Sequence, residues 1–128
     1  MSTISARIMN DIVVRSSYGT FSMADVIKDY KNRLQDRIDN DIIVNMNLFG
    51  SYARNSAGDD SDVDICIIYD EQKISELDIN IIVDEISDEL LGEYGVIIHA
   101  LCFPQSYYIA NSGSSRLFKD IAREGVPC

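Results

Sequence analysis

The chain has 128 residues, with 11 lysines and arginines against 21 aspartates and glutamates, a net charge of −10 and 46% hydrophobic residues. That length supports one hydrophobic core rather than two. The longest apolar stretch, residues 96–103, is interrupted by His99 and falls far short of the ~20 residues a bilayer crossing requires. The surplus of acid repels nucleic acid and anionic membranes, so any nucleotide has to be drawn in by a local feature such as a metal ion.

Cys66, Cys102 and Cys128 are odd in number and widely spaced, which fits reduced cytoplasmic thiols better than a disulfide framework. The first residues lack a basic segment leading into an apolar one, so nothing predicts secretion. Residues 1–128 are expected to form a single domain, with a helical extension over about residues 1–20.

In that extension Ile4, Ile8, Met9 and Ile12 fall at helical spacing and predict a helix over residues 3–14. Tyr18, Gly19 and Thr20 read as a turn, and Ser22 as the cap of a second helix. Met23, Val26, Ile27, Tyr30, Leu34 and Ile38 form the apolar stripe of that helix, which the polar run Asp39, Asn40, Asp41 closes. Residues 42–49 are β-branched and apolar and predict a strand ending at Gly50 and Ser51. Residues 52–61, rich in small and polar side chains, predict a loop that opens with a short helical turn.

Residues 63–69 predict a second strand, apolar enough to be central in its sheet. Over residues 74–91, Ile74, Leu77, Ile81, Ile82, Ile86 and Leu90 follow a helical period. The acids between them form a solvated face, and Gly92 is expected to end the helix. Residues 96–103 predict a third strand, stopped by Pro104. A weak segment at residues 107–110, a Ser/Gly loop and a helix over residues 115–123 complete the chain, with Leu117, Phe118 and Ile121 inward. The order predicts an α/β (α+β) fold, a small mixed sheet flanked by helices.

Asp62 and Asp64 are the centre of the chemistry. Positions i and i+2 of a strand share one face about 7 Å apart, and two like charges at the start of an apolar strand call for a cation. Hard oxygen ligands presented this way suit Mg²⁺ or Mn²⁺, with remaining ligands from water and a phosphate chain. Gly50 permits a tight turn whose backbone N–H groups, with the Ser51 hydroxyl, can hold phosphate oxygens. Ten residues separate Ser51 from Asp62.

Gly50-Ser51-Tyr52-Ala53-Arg54 followed by Ser61-Asp62-Val63-Asp64-Ile65 resembles the signature of the minimal nucleotidyltransferases, small members of the DNA polymerase beta-like superfamily. Weaker likeness runs from Val26 to a closing helix and turn at Arg123-Glu124-Gly125. The resemblance implies the polymerase beta-like nucleotidyltransferase fold and transfer of a nucleoside monophosphate, AMP from ATP, to an acceptor hydroxyl. Asp62 and Asp64 are then catalytic and metal-binding, with Gly50, Ser51 and Arg54 on the nucleotide. It further implies that the protein is an antitoxin whose acceptor is a small helical HEPN-type toxin. A degenerate relative that neutralises its partner by binding alone is the alternative, and homo-oligomers stay open.

Two positions depart from the family pattern. Asn55 stands where glycine is usual after Ala-Arg, and Asn tolerates left-handed backbone. The third strand contains no acid, where relatives commonly supply a third carboxylate; its polar side chain is His99, open to three readings: metal ligand, general base or half-exposed strand residue. Arg54 is read as contacting phosphate or base, or as pairing with Asp59 or Asp60. Asp59, Asp60, Asp70 and Glu71 read as solvated turns, Cys66 as a packed thiol, Tyr107 and Tyr108 as packing, and Arg123 with Glu124 as a pair closing the tail.

Overall fold

The computed structural model describes residues 9–59 and 61–128. After a 3-10 turn at Met9–Asp11 come strands β1 (Val13–Ser16) and β2 (Gly19–Ser22), helix α1 (Met23–Arg37) and strands β3 (Ile43–Phe49) and β4 (Val63–Tyr69). Helix α2 (Glu76–Tyr94), strand β5 (Ile98–Pro104), helices α3 (Gln105–Asn111) and α4 (Arg116–Glu124) and strand β6 (Val126–Pro127) follow. The main sheet has the order β5-β4-β3-β6; β4 runs parallel to β5 and antiparallel to β3, and β6 runs antiparallel to β3. The predicted mixed sheet flanked by helices is therefore the observed one, and β4 is central in it.

The sheet has two unlike faces. Val63, Ile65, Ile67 and Tyr69 of β4 point to one side and pack with Met46, Leu48, Ile98 and the apolar faces of α1 and α2 in the main core. Asp64, Cys66 and Ile68 alternate to the other side, where Phe118 of α4 covers only Cys66 and Ile68 in a smaller cluster. The Asp64 end of this second face stays partly open, and that places the site.

The helical reading of residues 3–14 is corrected by the structure from Val13 onward; residues 3–8 lie outside the described residues. Val13 and Val14 belong to a β-hairpin, with Val13 41% exposed and Val14 buried. Alternation with period two won over the helical spacing of the isoleucines. The expected turn survives as the hairpin's reversal. Helix α1 forms as predicted, although the Ser22 side chain makes no capping hydrogen bond.

Helix α2 is longer than its sequence suggests. It passes through Gly92 and ends at Gly95, whose φ of 67° is left-handed and whose N–H donates to Leu91 O. Its core face is Ile79, Val83, Ile86 and Leu90; Leu77 and Ile81, expected inward, are exposed. One added turn lets the Tyr94 hydroxyl donate to Asp29 Oδ2 at 2.8 Å and its ring meet Phe21 edge-on.

Between α1 and α2, Arg33 binds Asp29, Glu89 and Glu93 at 2.8, 2.9 and 2.7 Å. Burial alone would raise the Asp29 carboxyl, but hydrogen bonds from Arg33 and Tyr94, and the guanidinium charge, hold it below its usual range. Glu76, Asp78, Asp84, Glu85 and Asp88 form the expected solvated acidic face, whereas Glu89, with Glu93 beyond it, belongs to this clasp between helices. Strand β6 was not predicted, because two residues carry no periodicity; it forms by pairing Val126 with Leu48 and Pro127 with Asn47.

Candidate functional site

Strand directions bring three chain ends to one edge of the sheet: the close of β3 and the starts of β4 and β5. Asp64 lies opposite Phe49 on one side and beside His99 on the other. Gly50 and Ser51 leave β3 immediately next to it.

Gly50 has φ +76°, and a Cβ there would stand 3.2 Å from Asp64 Cγ, 3.3 Å from its Cβ, and inside contact distance of Oδ2. Only a residue without a side chain lets this backbone pass under the carboxylate. Residues 50–56 then wind as a single turn: Arg54 N–H donates to Gly50 O at 3.1 Å and Ser56 N–H to Ser51 O at 2.8 Å. Buried Tyr52 and Ala53 root the turn in the core. Asn55 closes it with φ 61°, the left-handed geometry its identity allows.

On the other side, His99 Nε2 is 2.8 Å from Asp62 Oδ2, with the two side chains 56% and 41% exposed. A carboxylate oxygen is an acceptor, so Nε2 is the nitrogen that donates in this contact and Nδ1 faces away from it. The bond places His99 against Asp62, and its half-exposed ring has a partner there, as each of the three readings of this residue allows. Burial pushes the Asp64 carboxyl up, nearby Asp62 adds to that, and His99 and Arg54 oppose it.

A carboxylate destabilised by burial and by a like-charged neighbour is stabilised when a divalent cation binds between them. Among the described residues no three His, Cys, Asp or Glu side chains form a complete cage. Two carboxylates fit Mg²⁺ or Mn²⁺, which take their other ligands from water and phosphate. The donor set present therefore fits a magnesium-type ion completed by its substrate.

Arg54 pairs with neither Asp59 nor, among described residues, any other loop acid. Its Nη1 lies 3.6 Å from Glu124 Oε1 at the end of α4. Asp60 lies outside the described residues, and Asp59 is exposed. The expected Arg123–Glu124 closure is correspondingly loose at 4.0 Å, because Arg123 binds Asp120 at 2.8 Å. Glu124 is the residue that sequence reasoning assigned elsewhere: its partner is 70 positions away, and no local pattern signals that.

Other candidates fall outside the site. Glu71 is not a free turn acid; its carboxylate accepts from Ser106 N–H at 3.1 Å and caps α3, whose preceding Pro104 offers no side-chain acceptor. Asp70 accepts from Gln72 N–H. Burial pushes the Cys66 thiol up to about 11, as befits a packed thiol. Tyr107 and Tyr108 pack on Phe103 and Phe118. A hollow of about 270 Å³ lined by Lys31, Leu34, Met46 and Cys128 lies toward the opposite end of β3 and shares no residue with the site.

The nucleotidyltransferase domain family matches residues 27–116, more than half of the chain. No curated protein matches the sequence significantly. A solved structure, a toxin-antitoxin crystallised with AMP-PNP, shares the fold with a TM-score of 0.52 at 19% identity, covering 78% of this chain and 69% of its own. Among the described residues no helix is long and apolar enough to cross a membrane.

Proposed function

Because the chain belongs to the nucleotidyltransferase domain family, we propose that it transfers a nucleoside monophosphate, AMP from ATP, to a hydroxyl of a protein partner. The observation that carries this reading is Asp64 in the first residues of β4, directly against the Gly50–Ser51 turn that ends β3, with Asp62 just before the strand. The solved structure of similar fold is a toxin-antitoxin with AMP-PNP, which supports an antitoxin role and a toxin as acceptor. A HEPN-type toxin is the partner that the sequence resemblance implies.

In this reading Asp62 and Asp64 hold the divalent ion, which supplies charge stabilisation for an in-line displacement at the α-phosphorus. The Gly50–Ser51 turn and Arg54 bind the β- and γ-phosphates. The acceptor oxygen forms the new P–O bond, the α–β bridging bond breaks, and pyrophosphate leaves with the electron pair. His99, oriented through Nε2 by Asp62, offers Nδ1 to the acceptor's proton.

Calorimetric titration with AMP-PNP, with and without Mg²⁺, tests the site: metal-dependent binding abolished by Asp62→Asn/Asp64→Asn supports it, and no binding at millimolar analogue overturns it. Incubation of the partner with ATP and Mg²⁺ tests the transfer, read as the mass of one or more added AMP groups. A second reading is favoured by one observation: the residue beside Asp64 on β5 is His99, not a carboxylate. In that case the protein neutralises its partner by binding alone, and Asp62→Asn/Asp64→Asn leaves neutralisation unchanged.

A further inference from the structure

Arg54 sits in the turn that follows Gly50, half exposed, with its guanidinium paired to Glu124. Most other basic side chains are engaged by other partners, and Arg123, although 4.0 Å from Glu124, makes its closer contact with Asp120. Arg33 and Arg37 bind α2 carboxylates, Lys31 binds Cys128 O, Lys73 binds Asp41, and Arg116 and Arg123 face Asp120. In a chain of net charge −10, Arg54 is a cation that the turn itself supplies to an anionic phosphate chain.

Glu124 is fixed by the sheet itself. Val126 pairs with Leu48 and Cys128 N–H donates to Met46 O at 2.9 Å, so the chain after α4 is tied to β3. Two residues before Val126 comes Glu124, and two residues after Leu48 comes Gly50; the antiparallel pairing brings Glu124 back to the turn. Between them, Gly125 closes α4 with its N–H on Ile121 O, and a Cβ there would crowd that carbonyl. At 3.6 Å the Arg54–Glu124 contact is longer than a charge-assisted hydrogen bond. It uses one edge of a planar fork of five donors, and among the described residues no other ion pair engages the rest.

We propose that Glu124 is a positioning residue of the nucleotide site: it holds the Arg54 guanidinium over the Gly50–Ser51 turn so that the remaining N–H groups meet the phosphate chain of a nucleoside triphosphate. This rests on the nucleotidyltransferase reading above. It makes α4 and β6, which no part of the Gly-Ser and Asp-x-Asp pattern touches, a working part of the site. An untethered arginine loses side-chain freedom when it binds phosphate, whereas one already held in place loses less.

The test is titration of AMP-PNP with Mg²⁺ into the wild-type chain, Glu124→Gln, Arg54→Ala and the double variant. Glutamine preserves the shape of residue 124, and thermal melting verifies that the fold is kept. Glu124→Gln is expected to weaken binding about three- to fivefold, the range of a partly exposed ion pair, and to have no further effect once Arg54 is alanine. Arg54→Lys, which keeps charge but not the fork, should weaken binding and make position 124 indifferent. Unchanged or tighter binding by Glu124→Gln, or an equal loss in the Arg54→Ala background, overturns this inference alone. No binding by the wild-type chain overturns the nucleotide reading and this one with it.

Discussion

The Asp64 carboxylate lies over the Cα of Gly50, at a point where a side chain on residue 50 would collide with it. The backbone of one strand end and the carboxylate of its neighbour occupy adjoining space, so phosphate turn and metal ligand are set by one packing relationship. Gly50→Ala has to adopt a left-handed backbone and also displace Asp64. It is expected to cost about 1–3 kcal/mol in urea unfolding and to abolish metal-dependent AMP-PNP binding. Retained binding with unchanged stability would contradict this geometry.

Asp64 also has a sign that can be checked. Its carboxyl is raised by burial and by Asp62, so the folded state holds the proton more tightly than the unfolded state does. Its contribution to stability is then lost as pH rises through the elevated value. Asp64→Asn is expected to raise the melting temperature of the metal-free protein at pH 7 while removing nucleotide binding. A lowered melting temperature would count against it.

The opposite sign holds at the clasp between α1 and α2. Asp29 is depressed by Arg33 and Tyr94, so its contribution is full above its unfolded value and fades as pH falls through the folded one. Arg33→Ala leaves three carboxylates together and is expected to cost about 1–2 kcal/mol at pH 7. The deficit should shrink as pH falls through the depressed value of Asp29, below the usual carboxylate range, and the urea midpoints of the two proteins should converge there.

His99→Gln separates binding from proton transfer. AMP-PNP affinity should stay within about twofold of wild type, while AMP transfer to the partner falls roughly 100-fold, the scale of a lost general base. A variant with full activity would leave His99 only as a neighbour of Asp62.

The site was legible where its chemistry is local in sequence. Gly50, Ser51, Asp62 and Asp64 declare themselves by residue type and spacing, and the apolar run at residues 63–69 announces a central strand. His99 could be singled out as a polar break in an apolar strand, but its contact with Asp62 depends on parallel register, which no pattern within β5 encodes. Glu124 and β6 were invisible for the same reason: each is defined by a partner about 70 to 80 residues away. Val13 and Val14 misled because isoleucines before them happened to fall at helical spacing, and Gly92 because glycine inside a helix is tolerated when packing beyond it is strong enough. Tyr94 provides that packing.

The connection from β4 to β5 has a consequence for the order in which the protein acquires its parts. β3 and β4 are antiparallel neighbours joined by the 13 residues 50–62, a more local contact than the parallel pairing of β4 with β5, which needs the whole of α2 to cross over first. A chain caught between these steps already has the glycine turn and both aspartates side by side, but not the histidine, which arrives 37 residues after Asp62. Glu124 comes later still, with α4 and β6, so the pairing that holds Arg54 is the last part of the site that the chain supplies.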